Sequence, residues 1–167
     1  MNRLAFIDIC KFDSDHYRAG ILVTDRFTDP IEFRCSSPVR PTALQKILWG
    51  RRLTAHLFCH VFGKPLIECL NPRPDLVLAR VSQLLGIRAV TGAPTVLVSP
   101  KPELEHRLLP SSPAHYLCAS REHTEDLDLA MPVMSPLAAI LAPLEPFQRV
   151  FTAIQDVHQD ETRAKAV

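Results

Sequence analysis

Glycine is scarce in this chain, five in 167 residues. None falls in a GxGxxG or GxxxxGK[ST] arrangement, so nothing supports a phosphate-cradling loop or a dinucleotide turn. There is no GxSxG elbow for a serine nucleophile. Five cysteines (Cys10, Cys35, Cys59, Cys69, Cys118) are scattered, odd in number and never in a CxxC pair. That usage fits reduced thiols in the cytosol rather than a disulfide framework or a zinc ribbon. No apolar run approaches the ~18 residues of a membrane span. Met1-Asn2-Arg3 runs straight into a strand-like segment, so no cleavable leader is expected. A cytoplasmic protein without a membrane partner is the resulting expectation.

Acidic residues are missing from one long stretch. Between Glu32 and Glu68 there is none, while Arg34, Arg40, Lys46, Arg51, Arg52 and Lys64 all fall there. From Glu122 to Glu161 the balance reverses, with eight carboxylates against Arg149 alone. The net charge of +1 hides this asymmetry. Either the two poles steer an outside partner, or they pair with each other on the surface.

What is present reads as one α/β domain over 1–167, a normal single-domain length. It divides into a core of about 4–100, a proline-rich segment of about 100–145 and a C-terminal helix of about 146–160. Leu4–Lys11, Tyr17–Thr24 and Ile31–Ser36 alternate and are rich in β-formers. Their short connections force an antiparallel meander. Thr42-Ala43-Leu44-Gln45 fits a capping box, opening a helix from about Pro41 to Phe62. That helix has a candidate bend at Gly50, and Gly63 is expected as its C-cap. Asp75–Ala79 and Thr95–Ser99 are nearly continuous apolar runs, as in strands buried on both faces. Ser82–Arg88 between them suggests a short helix, and Glu103–Leu109 also reads as helical. His115–Ala119 reads as a sixth strand, and 120–143 is broken by prolines. Phe147, Val150, Phe151, Ile154 and Val157 make the apolar stripe of a terminal helix, with the tail after it expected to fray. The expected fold is a mixed sheet of five or six strands. A three-strand antiparallel meander is followed by parallel β-α-β, with helices on both faces.

This order resembles the ribonuclease H-like fold, and the local sequence is similar to endonuclease V-type nucleases. Asp8 stands in the first strand. Pro74-Asp75-Leu76-Val77-Leu78-Ala79-Arg80 occupies the place of a segment like PDLVLVDG. Leu85-Gly86-Ile87 and Ala93-Pro94-Thr95 echo its continuation. The resemblance covers about 4–100 and implies Asp8 at the strand-one carboxylate position of a nuclease using Mg²⁺ or Mn²⁺. Two divalent ions need converging carboxylates, yet Arg80 stands where the family keeps its second acid. Asp75 sits at the other end of that strand, about 16 Å away. Asp13, Asp25 or Glu32 would have to converge on Asp8 instead. The alternative is a structural Asp8 bonded to backbone or to a cation such as Arg34.

Two further constellations stand out. His56 and His60 share a helix face with Cys59 nearby, a spacing that can present metal ligands, although the metalloprotease glutamate is replaced by Leu57. Cys59 beside His60, and Cys118 near His115, lack the geometry of a thiolate–imidazole pair. The basic segment is the stronger binding signal. Arg34, Arg40, Lys46, Arg51 and Arg52, with Trp49 interleaved, could contact phosphates and stack a base, or anchor a protein. The expected function is a non-enzymatic binding protein without a cofactor, engaging a protein or nucleic acid through this basic helix. The alternative is a metal-dependent nuclease centred on Asp8. Partner identity and oligomeric state are left open.

Overall fold

A computed structural model describes residues 2–165. The first three strands, β1 (Leu4–Phe12), β2 (His16–Thr24) and β3 (Pro30–Cys35), form the expected antiparallel meander. β4 (Leu76–Ala79) joins β1 in parallel, and β5 (Thr95–Ser99) joins β4 in parallel. The sheet has seven strands rather than five or six, in the order β3-β2-β1-β4-β5-β7-β6.

The additional strand is β6 (Glu105–Leu109), which pairs antiparallel with β7 (His115–Ala119). This segment is a strand and not the expected helix. Five residues cannot sustain an isolated helix, and pairing with β7 across Pro110–Ala114 satisfies the backbone directly. β7 in turn closes against β5.

Between β3 and β4 runs a segmented helical layer. α1 (Ala43–Trp49) starts at the capping box: Gln45 N–H donates to Thr42 Oγ1 at 3.1 Å and Thr42 N–H donates to Gln45 Oε1 at 2.9 Å. Gly50, at φ +52°, bends the chain into a 3₁₀ turn (Gly50–Arg52). α2 (Leu53–His56), a π-helical turn (Leu57–Gly63) and α3 (Lys64–Glu68) follow. The widened turn has a local cause. Pro65 brings no N–H, and its ring would crowd the Val61 carbonyl in α geometry.

Gly63 is therefore not a C-cap: its φ is −61° and the helix continues through it. Its role is close packing. A Cβ there would lie 2.7 Å from Ile87 Cγ1 and 2.8 Å from the Phe58 carbonyl oxygen. Gly63→Ala should cost about 1–3 kcal/mol by overpacking, read from the urea midpoint at unchanged m-value.

A 3₁₀ turn (Ser82–Gly86) and α4 (Ile87–Thr91) connect β4 to β5. α5 (Glu125–Ile140) occupies the segment whose prolines suggested a broken chain. Pro132 and Pro136 lie on its exposed side, so the carbonyls they leave unpaired face water. Glu125, Asp126 and Asp128 in the first turn favour the positive end of the helix dipole.

α6 (Glu145–Lys165) runs past the expected end. Its last turns are held rather than frayed. Arg18, itself buried, donates to both Glu161 carboxylate oxygens at 2.8 and 3.1 Å, and His158 stacks on Phe12 with centroids 3.8 Å apart. Burial, then the Arg18 charge, holds the His158 imidazole below its ordinary pKa. The final two residues of the expected tail lie outside the described residues.

Alternation along the central strands divides the core. Leu4, Phe6, Leu76 and Leu78 face α5 and α6, whereas Ala5, Ile7, Val77 and Ala79 face the 57–87 helical layer. Helices thus cover both faces. No single helix among the described residues is long and apolar enough to cross a membrane.

Candidate functional site at Asp8 and Arg80

β1 is an interior strand of the sheet, between β2 and β4, and Asp8 is fully buried. It pairs with Gly20 of β2 and shares the face of Leu4 and Phe6. The parallel register ends at Ile7 with Ala79. One step further sets Arg80 beside Asp8, and the guanidinium Nη2 lies 2.8 Å from Asp8 Oδ2. Oδ1 accepts the Ile9 backbone N–H at 2.9 Å. α6 covers the pair: the Arg80 guanidinium lies 5.5 Å from the Phe151 ring centroid, and a Cβ on Gly20 would lie 2.6 Å from Ile154 Cγ1.

Desolvation raises the Asp8 pKa above its ordinary value; the Arg80 charge and the Ile9 N–H act against it. The same burial, with the Asp8 charge beside it, pushes the Cys10 thiol up to about 12, so it is no nucleophile near neutral pH.

The acids that would have to converge on Asp8 are engaged elsewhere. Asp25 accepts the Phe27 and Asp29 N–H groups in the β2–β3 turn, and Glu32 pairs with Arg3 and Arg34. Asp13 lies in the exposed turn after β1, and Asp75 accepts the Asn2 and Arg3 N–H groups at 2.7 and 3.0 Å. Among the described residues, no group of three His, Cys, Asp or Glu is placed to hold a metal ion. The donor set at Asp8 therefore does not fit a divalent metal as arranged, since its close charged neighbour is a cation. That cation is Arg80 and not Arg34, whose Nε donates to Glu32 Oε1 at 2.7 Å.

The His56/Cys59/His60 constellation does not converge either. Trp49 stacks on His56 at 3.9 Å and 15°, and His56 lies over His60 at 5.4 Å. The Cys59 thiol turns away, donating to the Gln83 carbonyl at 3.0 Å, and burial raises its pKa. Trp49, Arg52, His56 and His60 instead border an open cavity of about 500 Å³.

In the basic segment, Lys46 Nζ donates to Asp15 Oδ2 at 2.7 Å and, with Lys11, holds that carboxyl down to about 2. Arg40, Arg51 and Arg52 make no ion pair among the described residues, and no ion pair there joins the basic segment to the acids of 122–161. The two poles do not neutralise each other. Between these arginines lies a feature that charge reading missed: Leu44, Ile47 and Leu48 are exposed, and α1 buries no residue. Their i, i+3, i+4 spacing was visible in the sequence. The same spacing marks a core-facing stripe, so it did not announce an outward one.

No protein-family model and no curated protein sequence matches the chain. Solved structures do. The catalytic domain of human endonuclease V superposes with a TM-score of 0.64 at 12% identity, covering 97% of this chain and 84% of that one. Endonuclease V from Ciona intestinalis, crystallised with a 23mer DNA containing an inosine followed by a ribo-adenosine, gives 0.61 at 8% identity, covering 93% and 86%. A second human endonuclease V structure gives 0.52 at 12% identity, covering 100% and 87%. The likeness thus extends well beyond 4–100, through the proline-rich segment and the terminal helix, and this chain has an endonuclease V-like fold.

Proposed function

We propose that this protein is a non-hydrolytic binding protein on an endonuclease V-like fold, engaging a protein partner through the Arg40–Arg52 surface. The observation that carries the first half is the Asp8–Arg80 ion pair at 2.8 Å. A guanidinium supplied by the chain itself balances the carboxylate that a nuclease would offer to metal. Exposed aliphatic side chains on α1, between arginines that make no ion pair among the described residues, support a protein over a nucleic acid. Leu44, Ile47 and Leu48 offer phosphates nothing, but they match the anchor spacing of a helix that docks in a groove.

A second reading, a nuclease dependent on Mg²⁺ or Mn²⁺ and centred on Asp8, is supported by the likeness to endonucleases along nearly the whole chain. It requires Arg80 to leave Asp8 before a cation could approach.

One set of assays separates the readings. The protein is incubated with Mg²⁺ or Mn²⁺ and labelled single- and double-stranded DNA and RNA, beside Asp8→Ala. No cleavage is expected; cleavage that disappears in Asp8→Ala would install the nuclease reading. For binding, an acidic helical peptide of Leu/Glu heptads is titrated while the fluorescence of Trp49, the only tryptophan, is followed. Saturable binding is expected, lost in an Arg40→Glu/Arg51→Glu/Arg52→Glu variant. Binding of labelled oligonucleotides but not of the peptide would make nucleic acid the partner.

A further inference from the structure

The two ends of the sheet are different kinds of edge. β3 opens with Pro30, which has no N–H to offer. Its Glu32 and Arg34 already hold each other at 2.7 Å, and Arg3 lies 3.6 Å from the same acid. β6, at the opposite end, has β7 as its one neighbour in the sheet. Glu105, His106, Arg107 and Leu108 are all exposed. Neither Glu105 nor Arg107 makes an ion pair among the described residues. Arg107 Nη1 donates instead to the adjacent His106 carbonyl at 3.1 Å.

An open edge presents backbone donors and acceptors that a further strand can use, and charged side chains normally guard it. The guard on β6 is self-complementary. Leu104-Glu105-His106-Arg107-Leu108 carries an acid on one side of His106, a base on the other and a leucine beyond each. When two antiparallel copies are centred on His106, Glu105 of each falls opposite Arg107 of the other. Centring on Glu105 sets acid against acid, and centring on Arg107 sets base against base; like charges directly opposite each other are destabilising. The charges thus select one register, and the strand that fits it is this same strand.

The faces of the strand agree. Leu109 is in the core beneath α5, so Glu105 and Arg107 stand on that face, beyond the buried part. His106 and Leu108 stand on the other face, where the His106 ring meets Tyr116 edge-on at 5.6 Å. Leu108 is 58% exposed, and Leu104, at φ +53° just before the strand, is 51% exposed. The same register brings Leu108 of one copy beside Leu104 of the other. We propose that this protein forms a two-fold symmetric dimer in which β6 pairs antiparallel with β6 of a second copy, joining two seven-stranded sheets edge to edge. The contact is isologous, so it closes at two copies. It uses no residue of α1 and is independent of the reading of α1 as a docking surface. The paired stretch is short and falls below the ~1,200 Å² of a stable interface, so the dimer is weak, with a dissociation constant on the order of 100 µM.

The test is sedimentation equilibrium, taken to millimolar concentration, on the wild type, Glu105→Arg, Arg107→Glu and an equimolar mixture of the two variants. Both positions are exposed, and circular dichroism checks the fold. The wild type should pass from monomer to dimer and no further. Each variant alone opposes like charges at both pairs and should dimerise at least about tenfold more weakly. The mixture sets the two acids of one chain against the two bases of the other, and should recover the wild-type affinity to within about threefold. Amide hydrogen exchange in β6 should slow as the wild type dimerises, and Ile47→Asp/Leu48→Asp should dimerise as the wild type does.

A wild type that stays monomeric overturns the proposal, as do single variants that associate as well as the wild type or a mixture that associates no better than they do. Dimerisation lost in Ile47→Asp/Leu48→Asp would assign the contact to α1 and overturn it as well. Growth past the dimer would point to head-to-tail pairing of β6 with β3 and rule out the two-fold contact. Slowed β6 exchange on adding an extended Thr/Val peptide to a wild type that remains monomeric would make a foreign strand the occupant, again against the proposal.

Discussion

Replacing Arg80 with alanine should destabilise the protein by about 3 kcal/mol at neutral pH, the low end for breaking a buried ion pair. The low end applies because the Arg80 side chain is 29% exposed, so water shares its solvation, whereas Asp8 has no such recourse. The loss should shrink as the pH falls. The folded-state pKa of Asp8 is raised, so its favourable contribution is complete below the unfolded value and is lost as pH rises through the folded value. Removing Arg80 takes away a cation that lowers that folded value, and the penalty at neutral pH grows. Protonation of Asp8 at acid pH removes that penalty, so the two proteins should draw together as the pH falls. Urea titrations at pH 7 and pH 4 measure this. Asp8→Asn in the Arg80→Ala background should recover most of the loss, because the amide oxygen can still accept the Ile9 N–H. An equal loss at both pH values, or no recovery, would mean that the pair does not neutralise Asp8.

Asp126→Ala should also cost about 3 kcal/mol. Asp126 is fully buried at the start of α5; it accepts the Thr95 N–H at 2.9 Å and lies 3.0 Å from Arg88 Nε. One carboxylate therefore ties α5 to the first residue of β5 and to α4. Alanine strands a buried N–H, about 1–3 kcal/mol, and removes a partly buried ion pair besides. Arg88 keeps the Gly92 carbonyl at 2.6 Å and Glu125 at 3.3 Å, which limits the damage on its side. Asp126→Asn should cost roughly half as much, because it keeps an acceptor for Thr95. Urea unfolding gives the free energies, and faster hydrogen exchange at the Thr95 amide in Asp126→Ala but not in Asp126→Asn would locate the cause.

Asp126 shows the limit of reading charge along a chain. In the sequence it is one of eight carboxylates in the acidic tail. In the fold it is a buried fastener, and Glu161 grips Arg18 from the far end of α6. Glu122 and Asp128 alone of these four remain free of ion pairs among the described residues. What distinguishes them is the partner that the assembled layers bring beside each, Arg88 and the Thr95 N–H at Asp126 and the buried Arg18 at Glu161. The place of Arg80 was legible only through the nuclease resemblance, and the cation expected beside Asp8 was one such as Arg34; the register that sets Ile7 against Ala79 makes Arg80 the neighbour instead. That the guanidinium closes on Asp8 instead of pointing to solvent depended on α6 and Phe151 lying above it.

The sequence by itself determined the meander, the capping box at Thr42, the two buried parallel strands and the apolar stripe of the last helix. In each, the signal lies within a few residues: alternation, a hydroxyl three positions from an amide, a run without polar interruption. Only the tertiary structure decided that Glu105–Leu109 would be an edge strand, that α5 would form through two prolines, that Gly63 would pack rather than terminate, and that Leu44, Ile47 and Leu48 would face outward. Those outcomes depend on what lies across the chain: β7 offering hydrogen bonds, solvent serving the carbonyls that prolines leave, Ile87 pressing on Gly63, and nothing covering α1.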